Sequence, residues 1–265
     1  MEASDADRSG VRSVRRALDI LSALDAEHPV LTLKDSARLT GLPKTTALRL
    51  LQTLEAAGIL WGGEGHYAPG PALLRLARFA SDAWLLPPAA QGIIAHAAEK
   101  TGETVNIYVR KGIRRVCIAQ AQGSHSLRHV VRVGDELPLW AGASAKILLA
   151  TVDESLWSAV AEDSPYGPAH VERIAEWVEG VKRNGWAVSH AERDDLVSAV
   201  SVSLGPFGGG SVVLALSISG PTTRFGEERV EQFVEILRDS VKAFEDVMAG
   251  STKDEALGIT RLLER

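Results

Sequence analysis

At 265 residues the chain is long enough for two domains, and with 45% hydrophobic and 24% charged residues it has the balance of a globular protein with a sizeable core. No apolar run approaches the roughly 20 residues of a membrane span, the first ten residues lack a secretory core, and the single cysteine, Cys117, excludes a disulfide framework; a cytoplasmic protein with no membrane partner is expected. The net charge of −5 hides an asymmetry, because residues 8–80 hold ten Lys/Arg against six Asp/Glu and residues 81–265 hold 19 against 25, which suits a front that meets phosphate and a rear that does not.

Residues 1–10 are polar and acidic, the composition of a disordered head. Over residues 14–26, Val14, Ala17, Leu18, Leu21 and Leu24 recur at helical spacing, and His28-Pro29 breaks the pattern. Thr32, with Asp35 three residues on, is a short capping box, so a second helix starts there and stops at Gly41. Pro43 suits the first turn of a third helix, whose apolar face is Ala47, Leu50, Leu51, Leu54 and Ala57 and which Gly58 closes. Two helices joined by so short a turn make a helix-turn-helix. Residues 59–61 and 66–68, around Gly62-Gly63-Glu64-Gly65, read as a β-hairpin, which adds a wing. A leucine-rich helix over 71–83 follows, and Pro87-Pro88 marks a domain boundary.

The remainder has an α+β pattern. Helices are expected over 89–101, 143–150, 171–184 and 227–248, and strands over 104–109, 115–121, 130–133, 200–204 and 212–217. A Gly134-Asp135 turn follows the third strand, and a glycine-rich hairpin loop over 205–210 joins the last two. The domains are therefore a head (1–10), a winged helix-turn-helix (11–70), a linker helix (71–86), an α+β domain (87–249) and a loosely attached helical tail (250–265). No internal repeat is evident.

On the third helix Thr45, Leu48, Arg49 and Gln52 form a second stripe opposite the apolar face, with Lys44 and Thr46 beside it near the N-terminus, where free N–H groups favour phosphate. In a major groove Arg49 suits a guanine edge and Gln52 an adenine edge, while Leu48 or the Thr45 methyl suits thymine. Arg12, Arg15, Arg16, Lys34 and Arg38 are candidate phosphate contacts, and His66 puts the wing near the DNA backbone.

This order of signals resembles the IclR-type transcriptional regulators. The stretch RRALDILSALDAEHPVLTLKDSARLTGLPKTTALRLLQTLEAAGIL is similar to that family's DNA-binding domain, and GHYAPGPALL to its wing and linker helix. TGETVNIYV, VGDELPLWAGASAKILLA, RNGWAVSHAERD and LALSISGPTTRF follow in the family's order, so the resemblance covers residues 10–248. It implies a GAF-like α+β effector domain, a homodimer or dimer of dimers on pseudo-palindromic operator DNA, and a small organic effector such as a carboxylic acid or an aromatic compound. Matching the family's pocket positions gives His129, Leu137, Trp140, Ala143, Ser144, Ser189, Glu192, Val197, Ala199, Ser217 and Ser219 as effector contacts.

The chain departs from the family pattern at Trp140, usually His, at Ala145-Lys146, usually Gly-Lys, and over 196–203, where a Gly and a Pro are missing. The implied pocket contains no permanent cation, so a protonated His129 and N–H groups near Ala143-Ser144 would receive a carboxylate. A neutral or singly anionic effector with an apolar or aromatic body follows, narrowed by Trp140.

No catalytic set survives inspection. Gly142-Ala143-Ser144-Ala145-Lys146 lacks the last glycine of a nucleophile elbow, and the neighbours Ser189-His190 and Asp194-Asp195 do not converge as a triad must. No cofactor or metal is expected; His125 and His129 are four apart, but in a strand or loop that spacing does not face two imidazoles together. A DNA-binding protein with a degenerate, unliganded effector domain is the alternative reading, and a small-molecule-processing enzyme a weaker one.

Overall fold

The structure, a computed structural model, describes residues 10–25, 27–84, 86–206 and 212–250. The expected tail from 251, residues 1–9 of the head and residues 207–210 of the glycine-rich loop lie outside these residues. The chain divides into two compact units, residues 1–82 and 83–265.

In the first unit α1 spans Arg12–Ser22, β1 Leu31–Thr32, α2 Leu33–Thr40, α3 Lys44–Ala56, β2 Leu60–Gly63 and β3 His66–Pro69; α4, Pro71–Trp84, runs through the boundary. The capping box of α2 is present: Asp35 N–H donates to the Thr32 hydroxyl (3.1 Å), and the Asp35 carboxylate accepts from Thr32 N–H (3.2 Å). Gly41 ends α2 in the left-handed region, and three residues later α3 begins. Ala47 and Leu51 of α3 are fully buried beside Ile20, Leu31 and Leu60. The wing turns at Glu64-Gly65, both with positive φ, the signature of a tight two-residue hairpin. Gly70 has to be glycine, because a Cβ there would lie 2.2 Å from the Gly58 carbonyl oxygen.

Four expectations in this unit need correction. The first helix ends at Ser22, not near residue 26, because the Asp25 carboxylate accepts from the N–H groups of Glu27 and His28 and turns the chain. Its buried anchor is Ile20, while Val14 and Leu18 face solvent. Ala57 lies past the end of α3 and is exposed. The wing sheet has a third strand, since β1 pairs with β3 (Leu31 with Tyr67).

The second unit holds a six-stranded, wholly antiparallel sheet among its described residues, in the order β6-β5-β4-β9-β8-β7. The strands are β4 Thr104–Lys111, β5 Arg114–Ala121, β6 Glu136–Pro138, β7 Trp186–His190, β8 Val197–Leu204 and β9 Leu214–Pro221. Helices α5 (Pro88–Thr101) and α9 (Glu227–Gly250) pack on one face over Val105, Ile107, Val200, Val202, Leu214, Leu216 and Ile218. Helices α6 (Ala143–Leu149), α7 (Glu154–Asp163) and α8 (His170–Asn184) cluster on the other with Tyr108, Cys117 and Ala215. The period of two along β9 therefore sends Leu214, Leu216 and Ile218 to one core and Ala215, Ser217 and Ser219 to the opposite face.

The strand expected over 130–133 is absent. Those residues are irregular, the Gly134-Asp135 turn follows them, and the edge strand that ladders with β5 is β6, Leu137 opposite Arg115. Helix α7 and strand β7 had no counterpart in the sequence reading.

Candidate functional site

On the first unit, α3 shows two faces. Lys44, Thr45, Arg49 and Gln52 are exposed, opposite the buried Ala47 and Leu51. Thr46 and Leu48 are half-buried, so the leucine expected to stand out in the stripe is partly packed. Arg12, Lys34, Arg38 and His66 are exposed, and Arg15 and Arg16 half-buried. Arg38 approaches Asp35 at 3.6 Å, an exposed pair that costs little to open. The wing also carries Trp61, 68% exposed, an amphipathic ring that sequence reading left unassigned.

On the second unit, a cavity of about 40 Å³ lies on the face of the sheet that carries α6. Its floor is built by register: Ser189, Ala199 and Ser219 sit side by side across β7, β8 and β9, and Ser217 lies between Ser201 and Asn106. Asn106 Nδ2 donates to Ser219 Oγ (3.2 Å), Ser217 Oγ donates to the Val200 carbonyl (3.2 Å), and His129 Nδ1 is hydrogen-bonded to Ser219 Oγ at 3.1 Å. Leu137, Ala143, Ser144, Glu192 and Val197 complete the set, so ten of the eleven nominated residues line one cavity.

Trp140 is the eleventh, and it does not line the cavity. Its ring meets Tyr166 edge-on at 6.2 Å and its carbonyl accepts from His170 Nε2 (2.9 Å), which makes it a support for the segment leading to α6.

Sequence reading missed the wall residues Tyr108, Arg115, Gly142, Arg193 and Asp194. Arg115 overturns the expectation that the pocket lacks a permanent cation. It is 4% exposed, its Nη1 donates to the carbonyls of Pro138 and Ala141 (the latter 2.9 Å), and its guanidinium lies 5.6 Å from the centre of the Tyr108 ring. Burial pushes its pKa down to about 10, well above neutrality, so the charge persists. The available signal was the alternation of Arg115 with Cys117, both buried and two apart on β5, before a bulge sends Ala119 to the opposite core.

Gly142 N–H, one residue ahead of the Ala143-Ser144 groups expected to receive a ligand carboxylate, is already taken. Gly142 N–H donates to Glu192 Oε2 (2.9 Å), and Glu192 Oε1 pairs with Lys146 Nζ at 2.5 Å. His129 does not supply the positive charge either, since burial first, then Arg193 and Arg115, lower its ring pKa below 6.5. An acid-side penalty follows, because below pH about 6.5 the unfolded chain takes up a proton that the folded chain resists. Stability should fall as pH drops from 6.5 through the folded value, by at most about 1.4 kcal/mol per pH unit, and His129→Gln should lose that slope. Melting curves across this range check it; equal slopes in both proteins would contradict the neutral ring.

Among the described residues no group of three or more His, Cys, Asp and Glu side chains is placed to hold a metal ion, and no helix is long and apolar enough to cross a membrane.

Family models match most of the chain: the IclR helix-turn-helix domain over residues 13–60 and the bacterial transcriptional regulator IclR C-terminal domain over 86–245. The HTH-type transcriptional regulator KipR of Bacillus subtilis is 25% identical over 237 residues, covering 86% of this chain and 94% of its own. A solved IclR-family structure from Rhodococcus sp. is 38% identical with a TM-score of 0.60, covering 94% of this chain and 97% of that one. An IclR homologue from Microbacterium hydrocarbonoxydans, solved with 4-hydroxybenzoate, shares the fold at 22% identity and a TM-score of 0.73, over 90% of this chain and all of that one.

Proposed function

Because the chain belongs to the IclR family of bacterial transcriptional regulators, we propose that residues 11–70 read an operator through α3 and that a small organic effector, held in the cavity beneath α6, changes operator affinity. Residues 71–86 serve as the linker helix and 87–249 as the effector domain; the protein acts in the cytoplasm as a regulator and not as an enzyme. The observation that carries the DNA reading is the split of α3 into a buried face, Ala47 and Leu51, and a solvent face bearing Lys44, Thr45, Arg49 and Gln52. Arg12, Arg15, Arg16, Lys34 and His66 would set register on the phosphates while α3 reads bases.

One recognition helix spans only a few base pairs, so specificity requires two copies on related half-sites. Leu74 and Phe79 of α4, 75% and 70% exposed, are apolar surface that a second copy would cover. Selection from a random DNA pool should therefore return a pseudo-palindrome, and light scattering at micromolar concentration should show a dimer or tetramer. A monomer that selects one asymmetric site would refute the assembly.

For the effector, the apolar and serine-bearing lining, together with the homologue that holds 4-hydroxybenzoate, supports a small organic acid or its neutral analogue. The cavity's small volume favours a second reading, an architectural DNA-binding protein with an unused pocket. A ligand that binds only the folded protein raises its melting temperature. Stabilisation by any member of a small-acid panel, coupled to altered operator affinity, separates the two.

A further inference from the structure

Resting on that reading of the cavity, we infer that the Nε–Nη2 edge of Arg115 is its charge-recognising group and commits the site to a small monocarboxylate. Both hydrogens of Nη1 are spent on the Pro138 and Ala141 carbonyls, which pin the guanidinium plane. Nε is buried without a hydrogen-bond partner. Nη2 has no partner among the described residues and lies against Gly142, itself part of the cavity wall; a Cβ at position 142 would come within 2.8 Å of it. Nε and Nη2 together form the side-on fork of a guanidinium, whose two parallel N–H bonds match the two oxygens of a carboxylate.

Charge counting points the same way. Around the start of α6 two buried cations, Arg115 and Lys146, face one carboxylate, Glu192, and that carboxylate is on Lys146. No described acidic side chain comes within ion-pair distance of Arg115. A buried charge without a counter-ion is strongly disfavoured, so the site is one negative charge short. Ser217, Ser219 and the unprotonated His129 add no charge, and the exposed wall residues Arg193 and Asp194 are of opposite sign and offset each other, so the shortfall stays at one charge, which matches a monocarboxylate. The cavity of about 40 Å³ admits about three water-sized groups, the bulk of formate or acetate; a ring acid needs the walls to move outward.

The test is thermal stabilisation and calorimetry on the full chain with formate, acetate, benzoate and 4-hydroxybenzoate, each against its amide and against equal sodium chloride. At least one acid should stabilise the wild type and its amide should not. Arg115→Met should weaken that acid about tenfold or more, and Arg115→Lys, which keeps the charge but not the fork, should fall between. The acid-against-amide comparison needs no variant, so a misfolded Arg115→Met does not rescue the idea. An amide that stabilises as well as its acid would overturn the charge assignment while leaving the effector reading intact. Inorganic phosphate stabilising in place of the acids, or no acid stabilising at all, would overturn it as well.

Discussion

Glu192→Gln should cost about 3–5 kcal/mol of folding stability, the penalty for leaving a buried ammonium without its counter-ion. Lys146 is 8% exposed on α6, donates to the Val188 carbonyl (2.7 Å) and to Glu192, and lies 4.7 Å from the centre of the Trp177 ring. Burial lowers its pKa and Glu192 opposes that shift, so the carboxylate is what keeps the charge tolerable. A glutamine has one acceptor oxygen where the carboxylate uses two, so it can keep Gly142 N–H or the Lys146 ammonium but not both, and the loss combines the charge with one hydrogen bond. Lys146→Met combined with Glu192→Gln should recover most of the loss, because a pair replaced on both sides leaves nothing buried and uncompensated. Urea unfolding of the three variants measures the cycle. A Glu192→Gln loss below about 0.5 kcal/mol, the size of an ordinary surface change, would show that the pair carries no such load.

The elements legible in the sequence are those whose signal is local. The period of α3, the Thr32–Asp35 box and the Glu64-Gly65 turn each lie within a few residues, and all three stand in the fold. Strand β1 has two residues and exists only because β3 returns beside it, a long-range pairing that no local pattern announces. Ser217 and Ser219 come from the family resemblance, and the alternation of β9 puts both in the cavity floor. Arg115 follows the same alternation but was passed over, because Arg114-Arg115 reads as a charged strand end. Its burial comes from the segment that closes over this end of β5 and offers the Pro138 and Ala141 carbonyls to Nη1, and the edge strand in that segment, β6, starts six residues past the expected one. The pocket positions carried by the family resemblance converge except for Trp140, whose packing against Tyr166 holds it outside.

Arg49→Ala should weaken binding to the selected operator by about 1–3 kcal/mol and leave binding to random DNA nearly unchanged. Arg49 is exposed on α3, its side chain has no part in the buried core, and alanine is a good helix former, so folding is not at stake. Arg49→Lys keeps the positive charge but loses the planar fork that matches a guanine edge, so it should lose most of the discrimination while retaining non-specific affinity. Arg16, half-buried on α1, is the contrast. As a phosphate contact it carries no base information, and Arg16→Ala should weaken both DNAs alike and reduce the slope of log affinity against log salt by about 1. Anisotropy titrations on both DNAs across a salt series read all of these quantities at once. If Arg49→Ala lost equally on operator and random DNA, Arg49 would be a phosphate contact, and base reading would have to come from Thr45, Leu48 and Gln52 without it.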